Sequence, residues 1–219
     1  MSKAREKIFQ RLTRQSSQPP RQNDSGPSLI ESRLSAHERA LLPVLPESVH
    51  ELFISKVEQA AASVECIKNI SELAQAVSEY LSLWNLERRL VAASTDVLKQ
   101  LSWPDGLEIE YRAAISSDIT SLCVAYAGIA ETGSLVLCSG RDTPTTLNFL
   151  PDNYICVVRR DDIYPYMEDI WSLLREEGGP PRAINFITGP SRTADVEQTI
   201  QLGAHGPRRV HVIIMGVGQ

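Results

Sequence analysis

Short apolar runs alternate with helical patterns along most of this 219-residue chain, and this alternation restricts its fold more than any other feature. Residues 89–93, 154–158 and 210–215 are predominantly apolar, which is typical of strands that are covered on both faces. Between such runs, apolar residues recur at helical spacing, as in residues 49–60 and 163–174. The pattern predicts an α/β fold with a mostly parallel sheet flanked by helices.

The same spacing predicts the individual elements. Helices are expected at residues 49–60, 70–81, 96–101 and 163–174 and after Asp195, and strands at 64–67, 89–93, 107–112, 121–127, 134–138, 154–158, 183–187 and 210–215. Ser48 is the predicted N-cap of the first helix, and Asn69 or Ser71 that of the second. Six residues separate the two apolar runs at 121–127 and 134–138, which suits a hairpin-like connection inside a larger sheet.

The N-terminal part differs in charge and composition from the rest. Residues 1–40 hold eight Lys/Arg and four Asp/Glu, so their net charge is +4, whereas the whole chain carries −5. Residues 3–12 have the spacing of a short amphipathic helix, and residues 13–33 are rich in Gln, Ser, Pro and Asn, as flexible chains are. We therefore predict a flexible basic tail at 1–45 and one α/β domain at 46–219. The acidic body argues against nucleic-acid binding, which needs a basic surface.

The four cysteines point to a reduced compartment. None of them forms a C-x-x-C pair, and all lie in apolar or strand-like surroundings, so buried free thiols and a cytoplasmic location are expected. Their spacing offers no local platform for an iron–sulfur cluster or a zinc ion, so we predict no metal on this chain. No apolar run approaches the ~20 residues that span a bilayer, and the basic N-terminus is not followed by the apolar stretch of a secretory signal.

The segment from Gly189 to Asp195 is the first candidate site. It follows a predicted strand and precedes a predicted helix, and the free N–H groups at a helix start suit an anion. Ser191 and Thr193 would add hydrogen-bond donors, and the Arg192 guanidinium would bind a carboxylate or phosphate. The alternative is an ordinary helix start in which Ser191 is the cap, Arg192 is in solvent and Asp195 faces the helix dipole. Asp195 and Glu197 would also repel an anion unless they point away from it.

Three further segments offer polar groups in predicted loops. Glu131 could act as an acid, base or nucleophile, and Thr132 and Gly133 could present backbone amides to a ligand; the alternative is a simple turn. His205, followed by Gly206, lies in a Gly-Pro loop and could titrate near neutral pH, although a lone His is usually structural. Arg141 follows a strand and could bind an anion; the alternative is a helix capped by Asp142 or Thr143 with Arg141 in solvent. The usual glycine-rich phosphate loops and the nucleophile elbow are absent from the sequence.

Four segments occur in an order that resembles the lactate-utilisation protein C family, or LUD domain. They are Ala130-Glu-Thr-Gly-Ser-Leu-Val-Leu137, Leu150-Pro-Asp-Asn-Tyr-Ile-Cys-Val-Val158, Ile187-Thr-Gly-Pro-Ser-Arg-Thr-Ala-Asp-Val-Glu197 and Gly203-Ala-His-Gly-Pro207. The resemblance covers roughly residues 45–219. It implies a fold similar to the glucosamine-6-phosphate deaminase, ribose-5-phosphate isomerase and CoA-transferase group. It also implies a role in oxidising L-lactate to pyruvate beside two partner proteins that carry the iron–sulfur clusters.

Three functional hypotheses follow. In the first, the chain is a subunit without activity alone: Arg192 and Arg141 hold a small carboxylate, and His205 or Glu131 takes the hydroxyl proton. In the second, it is a non-catalytic module that binds a metabolite or assembles the partner proteins. In the third, which rests on fold analogy, it is a stand-alone isomerase or CoA-transferase with Glu131 as nucleophile.

Overall fold

The structure is a computed structural model that describes Ser32 and residues 41–46, 48–196, 199–203 and 205–216. The helix predicted at residues 3–12 and the flexible stretch predicted at 13–33 lie outside the described residues, apart from Ser32. Across the described ranges, every helix is too short or too polar to cross a bilayer.

Twelve strands and four α-helices are described. The strands are β1 (Ser63–Ile67), β2 (Arg89–Ala92), β3 (Glu108–Tyr111), β4 (Thr120–Val124), β5 (Ala127–Ile129), β6 (Ser134–Cys138), β7 (Asn153–Arg159), β8 (Ile163–Tyr164), β9 (Ile184–Ile187), β10 (Arg192–Val196), β11 (Thr199–Leu202) and β12 (Arg209–Met215). The helices are α1 (Val49–Gln59), α2 (Leu73–Leu83), α3 (Asp96–Lys99) and α4 (Met167–Glu176). Three short 3-10 helices lie at Ile70–Glu72, Thr145–Asn148 and Arg160–Asp162.

Six strands form one parallel sheet in the order β1–β12–β7–β4–β2–β3. The inner strands β7 and β12 are buried on both faces and mostly apolar, and Ile155, Val157 and Ile213 have no exposed surface. The parallel α/β architecture predicted from the sequence is confirmed. Thr120, Asn153 and Arg209 start β4, β7 and β12 at the same level. We call that side of the sheet the amino edge and the opposite side, where these strands end, the carboxyl edge.

A second sheet of four strands, in the order β8–β5–β6–β9, lies beside the first. β6 is antiparallel to both β5 and β9, and α4 packs on this sheet through the buried side chains of Ile170 and Leu174. The apolar run predicted as one strand at residues 121–127 is therefore two strands, because β4 ends at Val124 and β5 starts at Ala127 in the other sheet. Full burial on both sides makes the run continuous in composition, so the sequence does not mark the break.

Helix starts follow the predicted capping chemistry. The Ser48 hydroxyl accepts a hydrogen bond from the Glu51 amide at the start of α1. The Asn69 side chain accepts one from the Ser71 amide at the 3-10 helix that leads into α2. The predicted helix at 163–174 begins later, at Met167, because Ile163 and Tyr164 pair with β5 and Pro165 follows them.

The helix predicted after Asp195 is wrong. Residues 192–196 and 199–202 are β10 and β11, which pair as an antiparallel hairpin. The helical spacing of Val196, Thr199 and Ile200 is too short to separate helix from strand. All three residues are β-branched, which favours extended backbone.

Candidate functional site

A cleft of about 670 Å³ opens at the carboxyl edge of the parallel sheet. Its walls include Ser139 and Gly140 from the loop after β6, Thr145 and Thr146 from a 3-10 helix, and Arg182 with Ala183 ahead of β9. This volume lies within the range of roughly 300–1,000 Å³ that is usual for small-molecule sites. Ligands of parallel α/β sheets commonly bind beyond the carboxyl ends of the strands, so the position is also typical.

Backbone and side-chain hydrogen bonds hold the loop after β6 in place. The Ser94 amide, beyond the end of β2, donates to the Asp142 carbonyl at 2.8 Å. The Thr143 hydroxyl donates to the Cys138 carbonyl at 2.8 Å. The Ser139 amide donates to the Ala183 carbonyl, and the Ala183 amide donates to the Ser139 hydroxyl, both at 2.9 Å. These four hydrogen bonds fix the backbone of the loop that forms one wall of the cleft.

Arg141 is exposed on this loop, directly after Gly140 of the cleft wall. The alternative in which Asp142 or Thr143 caps a helix is wrong, because the 3-10 helix begins after Pro144 and has no side-chain cap. Of the predicted ligand-binding residues, Arg141 is the one that the structure places at the carboxyl edge.

Glu131, Thr132 and Gly133 lie in the turn between β5 and β6, at the other end of the second sheet. The Thr132 and Ser134 hydroxyls are 2.7 Å apart, and the Ser134 hydroxyl is 2.6 Å from that of Thr188. These hydrogen bonds join the β5–β6 turn to the residue that follows β9.

Two of the predicted site glycines pack against α1. Gly133 has a φ of +68°, and a Cβ there would lie 2.6 Å from the backbone of Lys56 and Val57. Gly189 has a φ of +73°, and a Cβ there would overlap the Ala60 carbonyl. Both positions require glycine for conformation and for close approach. Close packing on the end of α1 therefore explains why both residues are glycine, without a role in ligand binding.

Ser191, His205 and Gly206 lie near one another at the amino edge. The Ser191 amide donates to the Pro207 carbonyl at 2.9 Å, and the Gly203 amide donates to the Ser191 carbonyl at 3.1 Å. His205 is exposed, and Gly206 approaches the Ser191 side chain. The structure thus brings these predicted residues together.

The first candidate segment also needs correction. Arg192 starts strand β10 and is exposed, so no helix dipole faces an anion at this segment. Thr193 and Asp195 lie in β10, and their side chains are outside the described part of the structure. The helix start that was the physical reason for an anion site at Gly189–Asp195 is therefore absent from this described segment.

Arg141 and Arg192 lie at opposite ends of the fold. Ser134, whose hydroxyl contacts Thr188, starts β6 at the amino side, and Cys138 ends it near the cleft. Four steps along a strand span roughly 13 Å, at ~3.3 Å per residue. The prediction that both arginines hold one small carboxylate therefore does not fit the structure.

Glu131 has a structural partner. One of its carboxylate oxygens accepts a hydrogen bond from the Met167 amide at 2.8 Å. That amide is among the N–H groups at the start of α4 that have no partner within the helix. The contact makes Glu131 a cap of α4 and supports the structural alternative for this residue.

A buried histidine that the sequence did not single out lies on β12. His211 is 5% exposed, its Nδ1 is 2.8 Å from the Ser63 hydroxyl, and its ring stacks on Tyr80 with centroids 4.3 Å apart. Its Nε2 lies 3.4 Å from a carboxylate oxygen of Glu65, without the geometry of a hydrogen bond. Burial lowers the pKa of His211 to about 4, so the imidazole is neutral at pH 7. Burial, followed by the nearby charge of Glu79, raises the pKa of Glu65.

A smaller cavity of about 130 Å³ lies beside β2 and is bordered by Arg89 and Asp118. Its charged groups already pair with one another. Arg112 contacts Asp118 and Glu110 at 2.7 Å each, and Arg89 also pairs with Glu110. Hydrogen bonds from these arginines lower the pKa values of Glu110 and Asp118. The network favours a structural role for this cavity.

The cysteines and carboxylates of the described residues form no cluster of three or more groups that could hold a metal ion. All four cysteines are free thiols, but the prediction that they are buried is wrong for Cys66, which is exposed, and Cys138 is only partly buried. Cys123 and Cys156 lie opposite each other on β4 and β7 in the core. Burial raises the pKa values of both thiols, which disfavours reactive thiolates there.

Comparison with known proteins gives one family. The model of the LUD domain matches residues 50–215. A lactate utilization protein C from Anoxybacillus flavithermus is 38% identical over 114 residues, which are 51% of this chain and 48% of that protein. One from Geobacillus kaustophilus is 36% identical over 98 residues, 42% and 41% of the two chains. One from Bacillus subtilis is 35% identical over 91 residues, 40% and 38%.

A solved structure supports the fold. The crystal structure of a DUF162 family protein from Deinococcus radiodurans aligns with a TM-score of 0.57 at 21% identity. The alignment covers 80% of this chain and 100% of that one.

Proposed function

This chain belongs to the LUD domain family, and we propose that it acts in lactate utilisation, as a subunit that takes part with iron–sulfur proteins in the oxidation of L-lactate to pyruvate. The names of the curated relatives support the lactate role. The matches span about half the length of those relatives or less, so the reaction and the partners are part of the proposal. In this proposal the electrons leave through clusters on the partner proteins.

The observation that carries the site assignment is the 670 Å³ cleft at the carboxyl edge. Arg182 is exposed and borders the cleft, so its guanidinium can pair with a carboxylate that enters it. Arg141 lies on the adjoining loop and adds positive charge at the same edge. The Ser139 hydroxyl, which accepts a hydrogen bond from the Ala183 amide, supplies a polar contact further along the wall. A small hydroxycarboxylate matches this combination of cations and a hydroxyl.

The proposal places substrate binding away from Glu131 and His205. Glu131 caps α4, and His205 lies near Ser191 in the amino-edge loop. In the proposed arrangement this chain binds and orients the carboxylate, and the group that accepts the hydroxyl proton is expected on a partner protein. The purified chain should therefore bind L-lactate but not oxidise it.

An NMR titration of the full chain with L-lactate tests this proposal. Arg182→Gln should weaken binding by roughly 10- to 100-fold, since a charge-assisted hydrogen bond contributes about 1.5–3 kcal/mol. Arg175→Gln, an exposed change on α4, is the matched control and should bind as the wild type does. Loss of binding in Arg192→Gln but not in Arg182→Gln would move the site to the amino edge. Lactate oxidation by the chain alone would refute the subunit role.

An assembly role is the second candidate, and exposed apolar side chains favour it. Ile119, Phe149 and Leu150 are 44%, 41% and 47% exposed. The Ile119 carbonyl accepts hydrogen bonds from the amide and side chain of Asn153, which links this residue to the segment that carries the other two. If assembly is the main role, Phe149→Ser with Leu150→Ser will abolish co-purification with the iron–sulfur proteins. Arg182→Gln will then leave both the complex and growth on lactate intact.

A further inference from the structure

Large apolar side chains are exposed near the amino edge of the parallel sheet. They are Leu83, Trp84, Ile115, Ile119, Phe149 and Leu150. Leu83 is 78%, Trp84 45% and Ile115 55% exposed, and the other three are between 41% and 47% exposed. Single exposed apolar residues are common on soluble proteins, whereas a continuous group of them marks an interaction surface.

Specific contacts connect these residues across the amino edge. The Arg209 guanidinium, at the start of β12, lies 4.7 Å from the centre of the Trp84 ring. The same guanidinium donates a 3.2 Å hydrogen bond to the side-chain oxygen of Asn153, the first residue of β7. Asn153 in turn donates to the Ile119 carbonyl through its amide at 2.9 Å and its side chain at 3.2 Å. The exposed residues at the end of α2 and before β4 are therefore joined through two polar side chains.

The remaining apolar residues lie on the two adjoining turns. The Ile115 amide donates to the Asp118 carboxylate at 2.7 Å, and the Asp118 amide donates to the Ile115 carbonyl at 3.0 Å, which closes the turn before β4. Residues 149–150 precede β7, and the Asp152 carbonyl beside them accepts a hydrogen bond from the Arg209 amide at 3.0 Å. All six apolar side chains therefore belong to one region, which we call the amino-edge surface.

The apolar area of the amino-edge surface suits a dimer. A large apolar side chain has on the order of 200 Å² of surface, so at their exposed fractions the six leave roughly 600 Å² in solvent. A stable interface buries about 800 Å² on each partner, of which about 65%, or roughly 500 Å², is apolar in homodimers. The six residues therefore supply the apolar area that one protomer contributes to such an interface.

The charges around the amino-edge surface are balanced. Arg208 lies 3.4 Å from Asp152, and both side chains are more than half exposed. Arg112 pairs with Asp118 at 2.7 Å on the turn before β4. A surface that meets its own copy must carry both signs, because a single sign would repel the copy. A different protein recruited by charge would require an excess of one sign, whereas these pairs are neutral.

We propose that the amino-edge surface is the interface of a two-fold symmetric dimer of this chain. Under that symmetry the surface packs on the same residues of the second copy. Trp84, with the Arg209 guanidinium over its ring and Leu83 beside it, is the anchor, because tryptophan and arginine contribute most strongly to interfaces. The proposal is independent of the lactate role, since the cleft that carries that role lies at the opposite edge.

Sedimentation equilibrium of the full chain at micromolar concentrations measures the dissociation constant of the dimer. Leu83→Lys and Leu150→Lys each place two charges in a symmetric interface, so each should raise that constant by roughly 100-fold or more. Both side chains are exposed, so the variants should fold, and their thermal unfolding midpoints check this. Ile70→Lys and Val97→Lys are matched controls, because these exposed apolar residues follow the carboxyl ends of β1 and β2. They should leave the dissociation constant unchanged.

A dimer that weakens in both amino-edge variants and in neither control supports the proposal. A wild-type chain that stays monomeric overturns it, and loss of co-purification with iron–sulfur proteins in the same variants would then assign the surface to those partners. A dimer that persists in Leu83→Lys and in Leu150→Lys overturns the proposed interface, because the second copy then binds elsewhere.

Discussion

Acidification should destabilise this protein through His211. The imidazole has an ordinary pKa of 6.5 in the unfolded chain, and burial lowers it to about 4 in the folded protein. The folded state therefore binds its proton at a lower pH than the unfolded state does. At 1.36 kcal/mol for each pKa unit, the difference is about 3 kcal/mol. This stabilisation is complete above the unfolded pKa of 6.5, declines as the pH falls, and is lost below about 4.

Urea unfolding of the wild type and His211→Gln at several pH values between about 7 and 4.5 measures the effect. Other acidic groups also titrate in this range. Glu110 and Asp118, whose pKa values their arginine partners lower, lose stabilisation as the pH falls, whereas the raised pKa of Glu65 has the opposite effect. Subtracting the free energy of unfolding of His211→Gln from that of the wild type at each pH removes the contributions that both proteins share. Glu65→Gln tests whether the Glu65 carboxylate, 3.4 Å from His211 Nε2, influences the pH dependence of the free energy of unfolding.

The expected result is a wild-type free energy of unfolding that falls more steeply on acidification than that of His211→Gln. His205→Gln is the matched control, because that side chain is exposed, and it should follow the wild type. Parallel loss of stability in the wild type and His211→Gln would refute the reasoning. It would mean that the imidazole finds solvent or a partner when it is protonated.

Two further predictions concern residues of the predicted site. Gly189→Ala should lower the thermal unfolding midpoint more than Gly178→Ala, because both need positive φ but only the first places a Cβ against the Ala60 carbonyl; equal losses would contradict the close packing. Glu131→Ala should cost about 1 kcal/mol in urea unfolding through loss of the α4 cap, and Glu131→Gln, which keeps an acceptor, should cost less. Lactate oxidation by the reconstituted complex that is lost in Glu131→Gln, with stability preserved, would instead make Glu131 catalytic.

Much of the fold could be predicted from periodicity, and the errors have specific physical causes. The strands at 154–158 and 210–215 were predicted closely because full burial on both faces leaves an uninterrupted apolar run. The same property hid the break between Val124 and Ala127, where the chain passes from one buried sheet to another. The β10–β11 hairpin was missed because β-branched residues happened to fall at helical spacing.

The candidate site was harder to predict than the fold. Gly133, Gly189, Ser191 and Gly206 were singled out from the sequence, and the structure shows their packing and backbone contacts at the amino side. Arg182 was missed because the predicted strand at 183–187, if it ran parallel to the main sheet, would place Arg182 at the amino edge. β9 is antiparallel to β6, and this reversal brings Arg182 to the cleft.

The packing of two loops on α1 separates the positions of this chain that serve folding from those that border the cleft. Gly133 and Gly189 press on the same helix from separate turns, and both turns belong to the segments that make the chain recognisable. Substitutions at these two turns should therefore disturb folding, whereas the cleft at the far edge is built from residues outside those segments. Substitution of an exposed cleft residue such as Arg182 should change binding at the proposed site and leave the packing on α1 intact.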